Sequence, residues 1–115
     1  MSPRDWQTRI ADILTCCRNV QAFTAGMTYS EFAADPKTIR AVAFELTALG
    51  EAAHAVPENI QKRYSQIPWG KMQALRNVLV HEYFRLDEEI IWHTSNEDIP
   101  SLTVSLEAIL AKNKP

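Results

Sequence analysis

Apolar residues recur at helical spacing along almost the whole chain, and no stretch alternates apolar and polar with the two-residue period of a half-buried strand. That pattern confines the fold to the all-α class. Trp6, Ile10, Ile13, Cys17 and Val20 mark one face of a first helix, predicted from about Arg4 to a stop at Gly26. Thr28 and Glu31 stand at capping-box spacing and open a short helical turn through Phe32. Asp35-Pro36 joins an N-cap to a proline at the first helical position, so a second long helix starts there. Its buried stripe is Ile39, Val42, Ala43, Leu46, Leu49, Ala53 and Val56, and Pro57 ends it. Gly50 lies inside the stripe at an intrinsic cost of about 1 kcal/mol against alanine, which points to close helix packing there.

A short helical piece is expected after Pro57, and Pro68 opens a helix carrying Met72, Leu75, Leu79 and, near its end, Phe84. Asp87 caps the last helical region, with Glu88 and Glu89 on its N-terminal dipole. Pro100 falls within the pattern of Ile90, Ile91, Ile99, Leu102, Leu106, Ile109 and Leu110, so a kink or break is predicted near Asp98. The tail AKNKP is expected to fray. Short connections between such helices give an up-and-down bundle of four to five helices. With 115 residues, 46% of them hydrophobic, the chain has enough for one core and too little for two, so residues 1–115 are expected to form a single helical domain.

Charge is unevenly spread. Residues 61–85 hold Lys62, Arg63, Lys71, Arg76 and Arg85 against Glu82 alone, a formal +4, which leaves −6 of the total −2 for the rest of the chain. An anionic ligand would be drawn to this middle stretch. No apolar run approaches the roughly eighteen residues of a membrane span, and MSPRDWQTR lacks the apolar core of a secretory signal, so a cytoplasmic location is expected. Cys16 and Cys17 are adjacent and lack the partners of a zinc site, which makes them reduced, packed thiols. Trp6, Trp69 and Trp92 read as core or interface anchors.

The helix after Pro68 concentrates a guanidinium, an amide, an imidazole and a phenol: Arg76, Asn77, His81 and Tyr83. At about 100° per residue, Arg76 and Tyr83 share one line two turns apart, and Asn77 and His81 share another one turn apart. Each has an ordinary structural explanation: surface cation, surface amide, half-buried histidine, core ring with its hydroxyl at the rim. His81-Glu82-Tyr83-Phe84-Arg85 is no zinc helix, since arginine stands where a second histidine is needed. His54 and His93 are isolated, and Glu45 and Glu51 could face a cleft but are more simply solvated helix residues. Neither a metal nor a cofactor site is expected.

Together the four residues meet a motif. Arg76-Asn77-x-x-x-His81-Glu82-Tyr83 fits RxxxxHxY, and the chain resembles the HEPN-domain ribonucleases of the HepT-like toxin group. The resemblance covers about nine-tenths of the chain, including TAGMTYSEFAADPKT, the LGEAA run with Gly50 and Glu51, IPWGKM before the motif and IIWHTSNEDIPSL after it. Glu82 stands where that pattern has glycine. The resemblance implies a HEPN-like bundle and a metal-independent endoribonuclease acting as the toxin of a toxin–antitoxin pair. It also implies a homodimer with its cleft at the interface, and a minimal nucleotidyltransferase antitoxin that attaches AMP to the motif tyrosine, here Tyr83.

The residues suit that chemistry. RNA carries its own nucleophile in the 2′-OH, so the enzyme must move protons and stabilise phosphoryl charge. The imidazole of His81 can serve as general acid or base. The planar fork of Arg76 matches two phosphate oxygens. Asn77 could orient the imidazole or hold a phosphate oxygen, and Tyr83 could position substrate. Arg76 and His81 stand about 140° apart on a regular helix, awkward for one phosphate within one chain, and a twofold dimer would bring the arginine of one chain to the histidine of the other. The competing reading is a catalytically silent helical adaptor that binds a nucleotidyltransferase and is modified by it. A simple dimeric scaffold leaves the polar set unexplained.

Overall fold

The computed structural model describes residues 5–113. Helix α1 spans Asp5–Thr24, α2 Tyr29–Ala33, α3 Pro36–Ala55, α4 Glu58–Arg63, α5 Trp69–His81, α6 Glu88–His93 and α7 Ile99–Lys112, and a π-helical turn at Thr94–Asp98 joins α6 to α7. No strand occurs among the described residues, and the fold is an all-α, HEPN-like bundle. Four longer helices form it. α1 packs between α3 and α7, and α3 packs between α1 and α5. Ile10, Ile13, Cys17 and Val20 of α1 meet Val42, Leu46 and Leu49 of α3 and Leu106 of α7 in the buried core.

The punctuation follows local chemistry. Gly26 adopts φ +74°, a left-handed conformation that glycine takes without steric cost, just beyond the end of α1. The Thr28 hydroxyl accepts from the Glu31 amide at 3.1 Å while the Glu31 carboxylate accepts from the Thr28 amide at 2.8 Å, a complete capping box. Asp35 caps α3 through the Thr38 hydroxyl at 2.7 Å and amide at 3.1 Å, bonds that hold its carboxyl below the usual carboxylate range. The predicted start of α1 at Arg4 lies outside the described residues.

The interruption expected near Asp98 is present as a π-helical turn at Thr94–Asp98, which widens the backbone immediately ahead of Pro100 and accommodates a ring that would clash with the carbonyl four residues back. Two expectations change. The tail is held through Asn113, whose side-chain amide donates to the Tyr64 hydroxyl at 2.9 Å and to the Ile109 carbonyl at 2.7 Å. Lys114 and Pro115 lie outside the described residues. Phe84 falls beyond the end of α5 and is 83% exposed instead of packing into the core.

The placement of α5 positions the site. Trp69 is buried at its start, and its indole N–H is shared between the Gln61 and Tyr64 carbonyls, each at 3.1 Å. The Gln61 amide in turn donates to the Ala53 and Val56 carbonyls at the end of α3, at 3.2 and 3.0 Å. Gly50 then admits α5 closely: a Cβ there would stand 2.3 Å from the Arg76 Cβ and 2.9 Å from the Met72 carbonyl oxygen. On its other flank α5 leaves a cavity of about 490 Å³ toward α6 and α7, floored by Leu46 and Leu49 and bordered by the Lys71–Asp98 ion pair at 3.2 Å.

Gly50→Ala should therefore destabilise the fold. Alanine's helix preference, about 1 kcal/mol, is opposed by overpacking of about 1–3 kcal/mol against Cβ and backbone atoms that have little room to give. Urea unfolding should show a lower midpoint at unchanged slope. An unchanged or raised midpoint would contradict the close crossing.

Candidate active site

Arg76 sits where α5 crosses Gly50, and the crossing fixes its surroundings. Its side chain is one-third exposed, and its guanidinium Nε faces the Glu51 carboxylate one residue beyond Gly50. The contact is one of charge, because the Nε–H is not aligned on the carboxylate as a hydrogen bond. Nη1 donates to the Asn77 side-chain oxygen at 2.9 Å. Two neighbours thus hold the guanidinium at its inner edge, and its outer nitrogens remain available to an oxyanion.

His81 is the last residue of α5 and is exposed. Its Nδ1 lies 2.7 Å from the Asn77 carbonyl oxygen. A carbonyl only accepts, so Nδ1 carries the hydrogen and Nε2 is the basic nitrogen of the neutral ring. Asn77 therefore serves both neighbours by different atoms: its backbone orients the imidazole, and its side chain steadies the arginine.

Tyr83 is placed differently from the helical-wheel expectation. α5 stops at His81, so the line shared by Arg76 and Tyr83 does not exist. Tyr83 lies in the turn that follows, 55% exposed, with its ring 4.4 Å from that of Phe84. The helix ends because the apolar stripe stops: after Leu79 the residues of the core face give way to Glu82, Tyr83, Phe84 and Arg85, all exposed, and Asp87 starts α6 by accepting from the Glu89 and Ile90 amides at 3.0 and 3.2 Å.

Several groups that looked like solvated surface belong to the seam between α3 and α5. Glu51 pairs with Arg76, and one turn further His54 Nδ1 meets the Gln73 side-chain oxygen at 3.0 Å. The signal available in the sequence was the polar line Thr47, Glu51 and His54 at helical spacing beside Gly50. Glu45 bonds elsewhere, accepting from Asn19 at 2.9 Å across α1 and α3. His93 pairs with Glu97 on the α6 side at 3.0 Å. Cys16 and Cys17 are both free and buried. Burial, then the Glu45 carboxylate, pushes the Cys16 thiol up to about 11, and burial pushes Cys17 up to about 12, so both are packed thiols without nucleophilic character near neutral pH. None of the four motif residues lines the large cavity, whose walls include Leu75 and Val78 on the opposite flank of α5. The chemistry lies on an open seam.

Fold and site together define a helical bundle that carries an RxxxxHxY set at the end of one helix. A model of the HepT-like ribonucleases matches residues 13–109, and the chain belongs to that family. It is 36% identical to a Methanocaldococcus jannaschii protein described as "putative RNase", over 96% of this chain and 91% of that one. It is 33% identical to "probable ribonuclease HepT" of Thermococcus cleftensis, over 92% and 96% of the two chains. A "putative RNase" of Caldanaerobacter subterraneus is also 33% identical, over 89% and 91%. No solved structure matches the chain. No helix among the described residues is long and apolar enough to cross a membrane.

Proposed function

We propose that this chain is a metal-independent endoribonuclease, a single cytoplasmic domain that acts as a homodimeric toxin and is silenced by a minimal nucleotidyltransferase. The observation that carries the nuclease reading is the fixed tautomer of His81: with Nδ1–H committed to the Asn77 carbonyl, Nε2 is exposed and basic. A docking surface has no use for that arrangement. Family membership and the relatives' descriptions support the same activity.

The reaction follows from RNA's own chemistry. Nε2 of His81 takes the 2′-OH proton, O2′ attacks the adjacent phosphorus, and the bond to the 5′ oxygen breaks. That oxygen takes a proton from water at the open seam, and the protonated imidazole then gives its proton to the hydroxide left behind, which restores both groups. Arg76 stabilises the charge that builds on the non-bridging oxygens. The products are a 2′,3′-cyclic phosphate and a free 5′-hydroxyl. Because His81 remains on α5, the separation of about 140° from Arg76 still favours a cleft shared between two chains.

Purified protein should cut an RNA oligonucleotide and leave the cyclic phosphate, and an oligonucleotide with 2′-deoxyribose at the cleavage position should resist. His81→Ala and Arg76→Ala should each lower the rate at least about 100-fold with unchanged circular dichroism. Folded variants that cut like the parent would overturn the assignment.

Silencing would act on Tyr83, whose exposed ring stands two residues beyond His81. Its hydroxyl oxygen would attack the α-phosphorus of ATP, pyrophosphate would leave, and the phenolic proton would pass to a base on the transferase. The attached nucleotide would crowd the imidazole. Co-expression with a minimal nucleotidyltransferase should raise the intact mass by one or more AMP groups, mapped to Tyr83, with loss of cleavage. A fully neutralised sample with unmodified Tyr83 would show that silencing acts by binding alone and overturn the modification.

A further inference from the structure

The catalytic groups account for one phosphate and leave unexplained the exposed aromatic rings on α3 and in the turn after α5. Phe44 is 69% exposed, Phe84 is 83% exposed, and the Tyr83 ring lies against Phe84. Such rings are expensive to leave in water. The α3–α5 register relates them. Glu51 meets Arg76 and His54 meets Gln73, so three residues forward along α3 is three residues back along α5. Followed the other way from Glu51, that antiparallel register brings Phe44 level with the turn that holds Tyr83 and Phe84. Phe44 lies two turns before Glu51 on the same line of α3.

The same line continues into positive charge. Lys37 and Arg40 precede Phe44 by seven and four residues, are exposed, and form no ion pair among the described residues. Cations alternating with aromatic faces, in line with a phosphate-binding arginine, suit a polyanion whose units carry flat apolar rings. A duplex hides those rings in its stack; a single strand offers them.

We infer that single-stranded RNA lies along the α3–α5 seam, with one base stacked on Phe44, another on the Tyr83–Phe84 ring pair, and its backbone steered by Lys37 and Arg40. This inference rests on the nuclease reading and adds to it the substrate class and residues that no motif contains. It also gives Tyr83 a role as part of a stacking surface before any modification.

The test uses the full chain with His81→Ala to prevent cleavage, and fluorescence anisotropy with a labelled unstructured RNA of twelve nucleotides or its blunt duplex. The parent should bind the single strand at least about tenfold more tightly than the duplex. Phe44→Ala and Phe84→Ala should each weaken single-strand binding about tenfold, and Phe44→Trp should restore it. Arg40→Ala should reduce the salt slope of binding by about 0.7. Sedimentation and thermal melting of each variant accompany the titrations. Unchanged affinity in both alanine variants, where the chain with His81 intact cuts RNA, would overturn this inference alone. Loss of binding together with a change from dimer to monomer would identify the aromatic face as a subunit contact and overturn it also. An intact protein that neither binds nor cuts RNA would overturn the nuclease reading, and this one with it.

Discussion

The close crossing of α3 and α5 at Gly50 is the constraint on which the site depends. Without a Cβ at that residue, α5 comes near enough for the Arg76 side chain to leave the interface beside Glu51, and for Nη1 to reach Asn77. Any larger side chain would push the helices apart and carry Arg76 away from both partners. The intrinsic cost of a mid-helix glycine, about 1 kcal/mol, is thus offset by packing and by a fixed guanidinium. Trp69 and Gln61 protect the same geometry from the other end, since their hydrogen bonds join the end of α3 to the start of α5.

Most of the fold was legible because each helix carries its own signals. The glycine after α1, the capping box at Thr28, Asp35-Pro36 and the core stripe of α3 all act within one turn of chain, and each stands where local chemistry requires it. What was not legible depends on neighbours or on where a helix stops. Pro100 marked the irregularity near Asp98, but its form, a π-helical turn that keeps Ile91 and Ile99 in one core, is a tertiary gain no local pattern reveals. Tyr83 was placed by extending a regular helix two residues too far.

The site shows the same division. Arg76 and His81 stand out as candidates by residue type and spacing. The pairing of Glu51 with Arg76 and of His54 with Gln73 does not, because it comes from a second helix brought alongside. Asn77 was recognised as a candidate, but its work is split between a backbone carbonyl and a side-chain oxygen, and only coordinates separate the two. The outcome is an arginine and an imidazole each held by an internal bond on an open surface, with no cavity to exclude water. In the proposed nuclease the second wall of the cleft would be a twofold copy of the same seam, built from identical residues.

The central claim is that one cleft draws its arginine and its histidine from different chains, and subunit mixing tests it most directly. Dimers assembled from one Arg76→Ala and one His81→Ala subunit, isolated through two affinity tags, contain one complete pair and one empty pair. Their rate of RNA cleavage should return to about half that of the parent dimer, far above either variant alone, since each single loss costs at least about 100-fold. A verified mixed dimer as inactive as its parents, or full activity in a monomer, would contradict the account.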